Sequence, residues 1–337
     1  MNEETVPFSL AAAHDLAVAA LIGAGASPTM ATSLARATVD ADARNPSAVG
    51  FSHLVDYLES LVAGRINGKA APRRTNPAPA LIRMDADGGI AQLGFDLAFD
   101  DLVEKARTFG IALFAQENSY TSGELGDYVF RLAAQGLVGI AATNGPALIA
   151  GSGGSKPVYC TNPLAFAAPR KSGAPLLIDQ SSSATAFVNI RHAAARGEPI
   201  PAGWAVDAMG QPTTDAKEAM KGAMIAYGGP RGANIALMVE VLAAGLSGAN
   251  WSLDAPDFAS GDRTPGTGLT VIAIAPSLLD ESFEDRLDAQ LKRLSTDYGI
   301  HIPGASKFAS FITTRSEGIR LPSTLVSRIS AFAKGRE

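Results

Sequence analysis

The chain has 337 residues, enough for one large α/β domain or two modest ones, because single cores stop growing near roughly 250–300 residues. It is 47% hydrophobic and 18% charged, with 34 Gly and 20 Pro, which excludes a disordered or fibrous chain and describes a loop-rich folded enzyme. A net charge of -5 with scattered Lys and Arg offers no basic stripe for nucleic acid, and the single cysteine, Cys160, excludes an internal disulfide, which suits a reducing cytoplasm.

Helices come first. Ser9 caps a helix opening at Leu10, Ser27-Pro28 is a cap followed by proline at the first helical position, and a third helix runs from about His53 to Gly64. Between Lys69 and Ala80 a passage with Pro72, Pro77 and Pro79 reads as a linker into a second lobe. From Leu81 onward, apolar runs mark strands at Ile111–Ala115, Leu137–Ala141, Leu176–Asp179 and Leu269–Ile274. Between them, helical periods cover Phe95–Thr108, Leu125–Ala134, Ala184–Arg196, Gly232–Leu246 and Glu281–Asp297, and an amphipathic helix from Ser323 to Ala333 ends the tail. The most apolar helical stretch, Ala233–Leu246, is too short to cross a bilayer and carries Asn234 and Glu240; there is also no secretory signal pattern.

The usual phosphate-binding signatures are missing. There is no P-loop and no G-x-G-x-x-G opening a helix; the nearest stretch, Gly151–Pro157, reads as a tight loop because Pro157 and the strand-like residues after it argue against a helix. His14, His53, His192 and His301 share no metal-ligand spacing, so no metal is expected. His14 reads as a helix-surface residue, and His192, in an Ala-rich helix next to Arg191, as a solvated or packing one. His53 follows Ser52 where an irregular segment gives way to a helix, so it has two readings. It can point into a cleft as a proton donor, since reduction of C=O or C=N needs one proton beside the hydride, or Ser52 can cap the helix while His53 satisfies a backbone group. With no nucleophile elbow in the chain, a serine hydrolase is a poor alternative.

Taken in order, Ser52-His53, Asn118-Ser119 with Gly123, Asn144, Gly153-Gly154, Lys156-Pro157, Thr161-Asn162-Pro163, Ile178-Asp179 with Ser181–Ser183, Ile200-Pro201 through Gly203-Trp204, Asp207 with Gly210, Pro212–Asp215 and Gly228-Gly229 with Gly232 resemble the type-2 malate/L-lactate dehydrogenase family over nearly the whole chain. Thr161–Pro169, Gly210–Asp215 and Leu237–Ala244 are most similar to its reductases of Δ1-piperideine-2-carboxylate and Δ1-pyrroline-2-carboxylate. The resemblance implies an α/β fold: a non-Rossmann NAD(P)-binding sheet domain over residues 76–276, and a helical lobe built from residues 1–75 and 277–337. It implies a homodimer, NADPH or NADH as cofactor, and hydride transfer to C2 of a small 2-imino or 2-oxo carboxylate. A malate/lactate-type 2-hydroxy acid dehydrogenase and a non-catalytic dinucleotide-binding relative are the alternatives. His53 is the implied acid, with Ser52 orienting substrate or imidazole. Asn118, Ser119, Thr161, Asn162, Pro163, Asp179, Ser181, Ser182, Ser183, Gly229, Arg231 and Gly232 are the implied dinucleotide cradle, where small residues free backbone N–H groups and Arg231 offsets phosphate charge.

The chain departs from the family pattern around the pocket. Leu54 and Tyr57 stand where the pattern Ser-His-Gly-x-x-Arg has Gly and Arg, so Arg44 is the candidate carboxylate partner, and the segment from Asn45 to Phe51 looks longer than usual. Thr121 replaces a histidine common in relatives, and Asn189 stands where cyclic imino acid reductases carry aspartate. Arg44, Tyr57, Thr121 and Asn189 are therefore the candidate substrate contacts.

Overall fold

The computed structural model describes residues 4–44 and 49–334. Most of the segment from Asn45 to Phe51 thus lies outside the described residues. Strand β1 (Thr5–Phe8) precedes helices α1 (Leu10–Gly23), α2 (Pro28–Arg44) and α3 (Phe51–Val62). Then come β2 (Arg73–Ala78), β3 (Leu81–Asp85), α4 (Ala91–Phe109), β4 (Ile111–Ser119), α5 (Leu125–Ala133) and β5 (Val138–Thr143). The middle of the chain holds β6 (Ile149–Ala150), β7 (Pro157–Tyr159), β8 (Leu164–Ala168), β9 (Leu176–Gln180), α6 (Phe187–Arg196), β10 (Ala205–Val206), β11 (Pro212–Thr213), α7 (Ala216–Ala219), β12 (Ala223–Met224) and α8 (Pro230–Glu240). The last elements are β13 (Thr267–Ile274), α9 (Phe283–Tyr298), α10 (Ala305–Glu317), β14 (Ile319–Pro322) and α11 (Ser323–Ala333).

The N-terminal helices start where their caps direct. Ser9 Oγ accepts from Ala12 N at 3.1 Å, and Ser27 Oγ from Met30 N at 3.3 Å. On α1 the buried residues Ala13, Ala17, Ala20 and Leu21 lie on one face, and they meet α2, α3 and α11 in one apolar cluster. Chain ends far apart in sequence close this cluster: β1 pairs antiparallel with β14, with Phe8 opposite Ile319. Cutting one of its fully buried leucines, Leu54 or Leu58, to alanine costs about 2–5 kcal/mol.

A seven-stranded sheet in the order β2-β3-β4-β13-β5-β8-β9 forms the centre. Only β3 and β4 run parallel; every other pair in it is antiparallel. Helices α4 and α5 cover one face through Phe95, Leu102, Val129 and Leu132, which pack on Phe114, Val271 and Ala165. A smaller sheet, β11-β10-β12-β6-β7, packs with α6, α7 and α8 around Ile149, Ile190, Ala205 and Met224. The mixed α/β class expected from the sequence is present.

Three expectations need correction. The presumed linker from Lys69 to Ala80 contains β2, hydrogen-bonded to β3; it is an edge strand, where a proline costs no ladder bond, and its register shifts between Thr75 and Ala78, flanking Pro77. The single helix expected from Gly232 to Leu246 is α8 followed by a π turn, Val241–Gly245. There Thr270 Oγ1 donates to Leu242 O at 2.6 Å, and Gly268 lets Ala243 O approach the sheet, since a Cβ on Gly268 would lie 2.1 Å from that oxygen. Helix α10 and strands β1 and β14 were not foreseen. The Gly151–Pro157 segment is a tight loop as read, with Gly154 N bonded to Gly151 O at 3.0 Å and Pro157 opening β7. No described helix is long and apolar enough to cross a membrane.

Candidate active site

His53 lies in the first turn of α3. Ser52 does not cap that helix: Gly50 is the N-cap residue, and Phe51 N donates instead to Asp42 Oδ2 at 2.8 Å. This leaves the Ser52 side chain exposed beside His53, whose own side chain is 24% exposed. The imidazole is held twice. Nδ1 is 2.9 Å from Asp56 Oδ2, and the ring sits edge-on against Tyr57 with centroids 4.9 Å apart. Burial works against ionisation of Asp56, but the hydrogen bond from His53 and the charges of His53, Arg191 and Arg328 outweigh it and hold the carboxyl below its usual range.

Tyr57, at the position where the family pattern has arginine, is buried. Its hydroxyl accepts from Gln92 Nε2 at 3.1 Å, and the Thr121 side chain also bonds to it. Burial raises its pKa, so the phenol stays protonated at neutral pH. Tyr57 is thus the wall against which His53 rests, joined to Thr121, and Gly123 leaves room beside it, since a Cβ there would lie 2.8 Å from Gln92 Nε2.

Arg44 is not available to a substrate carboxylate. Its side chain is 2% exposed and bonds Asp127 Oδ1 at 2.7 Å and Glu124 Oε2 at 2.9 Å. A buried cation must be paired, and these two carboxylates pair it, so the expectation that Arg44 meets substrate is corrected. Glu124 also takes Lys307 of α10 at 3.2 Å.

The loops read as the dinucleotide cradle come together. Ser182 N donates to Thr161 O at 2.7 Å, Ser182 Oγ to Asn162 O at 2.8 Å, Tyr227 N to Ser182 O at 3.0 Å, and Ser183 bridges Ala226. Thr161–Pro163, Ser181–Ser183 and the turn before α8 are therefore one unit. In that turn Gly228 and Gly229 have φ of 59° and 64°, and a Cβ on either would meet nothing within 4 Å. The turn is open to the outside, and Arg231 is exposed in the first turn of α8. Gly232 packs against Tyr227, with 1.9 Å between its Cβ position and Tyr227 O.

Several candidate side chains are committed to the scaffold instead. Asn162 is fully buried, with Nδ2 on Ala236 O (2.8 Å) and Glu240 Oε2 (2.7 Å), so it anchors α8 to the turn. Ser119 is fully buried against Thr267, joining β4 to β13. Asn118, at φ 60°, donates to Asp85 Oδ1 at 3.1 Å. Asp179 accepts from Gly126 N at 2.8 Å; burial raises its pKa, Lys307 opposing and Glu124 adding to the rise. Asn189 donates to Thr185 Oγ1 at 3.0 Å.

Two residues went unread in the sequence. Asp56 carried a signal, since it stands three residues after His53 on a helix and shares its face. Arg191, exposed on α6, carried none; only the fold brings its charge to bear on Asp56. Among the described residues no group of three His, Cys, Asp or Glu is arranged to hold a metal.

Residues 8–330 match the malate/L-lactate dehydrogenase family. The chain belongs to that family. Among its relatives, the (2R)-3-sulfolactate dehydrogenase (NADP(+)) of Chromohalobacter salexigens is 36% identical over 98% of both chains. A Δ1-pyrroline-2-carboxylate/Δ1-piperideine-2-carboxylate reductase of Pseudomonas aeruginosa is 37% identical over 84% of this chain and 86% of its own. The crystal structure of Δ1-piperideine-2-carboxylate reductase from Pseudomonas syringae pv. tomato superposes with a TM-score of 0.93 and 32% identity, covering 97% of this chain and all of that one. This malate/L-lactate dehydrogenase family member therefore shares the fold of that reductase over 97% of its length.

Proposed function

We propose that the chain is an NADPH-dependent reductase that delivers hydride to C2 of a small 2-imino or 2-oxo carboxylate, the Δ1-pyrroline-2-carboxylate type being favoured, with His53 as proton donor. The observation that carries the chemistry is the partly exposed imidazole fixed between Asp56 and Tyr57. The relatives named as pyrroline-2-carboxylate reductases support the substrate class.

A nicotinamide dinucleotide fits the residues present. The Gly228-Gly229 turn admits close approach of a ligand where any side chain would obstruct it, α8 begins there, and Arg231 is free to meet a 2′-phosphate. Gly229, Arg231, Ser181 and Thr161 would hold the group through backbone N–H, hydroxyl and guanidinium donors, while Asn162, Ser182, Gly232 and Ser183, whose hydroxyl donates to Thr185 O at 2.6 Å, keep these loops in register. Bound there, the reduced nicotinamide supplies the hydride. His53 supplies the proton to the substrate nitrogen or oxygen, Ser52 lies beside it as a hydrogen-bond donor, and Tyr57 keeps the ring from turning away. With Arg44 buried, Arg191, an exposed cation on α6 whose charge acts on Asp56, is the residue we assign to the substrate carboxylate. Leu237, Met238, Val241 and Leu246 leave an exposed apolar face that supports a homodimer.

The test is loss of reduced-nicotinamide absorbance with NADPH or NADH and, in parallel, Δ1-pyrroline-2-carboxylate, pyruvate or 3-sulfopyruvate. Fast NADPH oxidation with the cyclic imine supports the proposal. The sulfolactate dehydrogenase relative, matching over the whole chain, favours a second reading as a 2-hydroxy acid dehydrogenase, which preference for an oxo acid would establish. Saturable NADPH binding without turnover on any of the three would make it a binding protein. His53→Ala is expected to abolish turnover and leave NADPH binding intact.

A further inference from the structure

We infer that Asp56 is a positioning residue for His53: its carboxylate accepts the Nδ1 proton, fixes that tautomer, and leaves Nε2 as the ring atom that delivers a proton to substrate. The inference rests on the reading of His53 as proton donor.

The geometry is local and rigid. Asp56 follows His53 by three residues on α3, so the two side chains share one helix face, and their atoms meet at 2.9 Å. The helix is pinned by Leu54, Val55 and Leu58, all buried. The second hold on the imidazole, the Tyr57 ring, is itself fixed by Gln92 at its hydroxyl and by an edge contact with Tyr120 at 5.5 Å. A ring held by Nδ1 on one side and by an aromatic wall on another has only its remaining edge, with Nε2, for a ligand. The charged groups acting on Asp56 from other elements are cations: Arg191 of α6, and Arg328 of α11, which also pairs with Glu59 at 3.2 Å. Burial opposes ionisation of Asp56, and these cations add to the hydrogen bond and charge of His53 in outweighing it, so the carboxylate stays ionised and able to accept.

During reduction the C2=X bond (X = N or O) receives hydride at C2, and its π electron pair moves to X. That pair takes the Nε2 proton from the doubly protonated ring, the imidazolium, and the electrons of that N–H bond stay on the ring. The imidazole ends neutral with Nδ1–H still donated to Asp56, so the carboxylate never has to be protonated.

The experiment is ¹⁵N NMR of histidine-labelled protein at a pH where the rings are neutral, with His53 assigned from a His53→Gln sample, alongside kinetics of Asp56→Asn and Asp56→Glu. Wild type is expected to show a protonated Nδ1 and a bare Nε2. In Asp56→Asn the carboxamide N–H donates to Nδ1, so the tautomer inverts to Nε2–H. kcat should then fall about 10²–10³-fold, with KM and NADPH binding within about threefold and part of the loss restored by Asp56→Glu. A wild-type Nε2–H tautomer overturns the inference, as does Asp56→Asn retaining activity while His53→Ala loses it. Retained activity in His53→Ala overturns the proton-donor reading itself, and the role of Asp56 with it.

Discussion

Arg44 of α2 and Asp127 of α5 meet at 2.7 Å with both side chains nearly sealed from solvent. Arg36 reaches the same carboxylate at 3.1 Å and Asp96 at 3.3 Å, and Arg131 joins Asp96 at 2.5 Å. This network ties α2 to α4 and α5, the helices that cover the central sheet. It explains why a charge that looked free for substrate is unavailable to it.

Asp127→Asn should destabilise the protein by about 2–3 kcal/mol, because it takes one of its two carboxylates from the buried Arg44 and leaves Glu124 to pair it alone. Burial opposes ionisation of Asp127, but Arg44, Arg36 and Arg131 lower its pKa to about 2. A folded pKa below the unfolded value of about 3.9 contributes stability that is fully present above the latter and disappears as pH falls toward the former. The Tm gap between wild type and Asp127→Asn should therefore be widest near neutrality and close between about pH 4 and pH 2. A gap independent of pH would show that Asp127 acts through packing.

Arg191→Met should raise KM for the carboxylate substrate by about tenfold or more, the worth of one charge-assisted hydrogen bond. kcat should change less than about threefold, and NADPH binding, followed by fluorescence, should be unaltered. An unchanged KM removes Arg191 from carboxylate binding.

Arg231→Ala should weaken NADPH binding by about tenfold and leave NADH binding nearly unchanged, since only the former carries a 2′-phosphate for the guanidinium. Equal loss for both cofactors would instead place Arg231 at the shared pyrophosphate.

Asn189→Asp should shift kcat/KM toward the cyclic imine and away from pyruvate, on the order of tenfold. Asn189 Nδ2 now donates to Thr185 Oγ1; an aspartate there can accept from the same hydroxyl and add charge complementary to an iminium. If the ratio does not move, Asn189 lies outside the substrate's reach.

Local physics made much of this protein legible from the chain alone. The caps Ser9 and Ser27, the apolar runs of β4, β5, β9 and β13, the tight loop at Gly151–Pro157, and the start of a helix near His53 all depend on neighbouring residues, which sequence displays directly. The ordered set of short motifs, from Ser52-His53 to Gly232, sufficed to point to the family. Tertiary structure decided what depends on distant partners. Prolines at 72, 77 and 79 say only that the chain bends or lacks donors there, and pairing with β3 makes the segment an edge strand. Arg44 is a cation in either setting, and carboxylates 80 and 83 residues away in the chain claim it. Tyr57 and Asn162 look like polar candidates for a pocket until packing shows them holding a ring and a helix in place. A side chain's chemistry is written in its type, but its availability is set by burial and by which long-range hydrogen bonds claim it first.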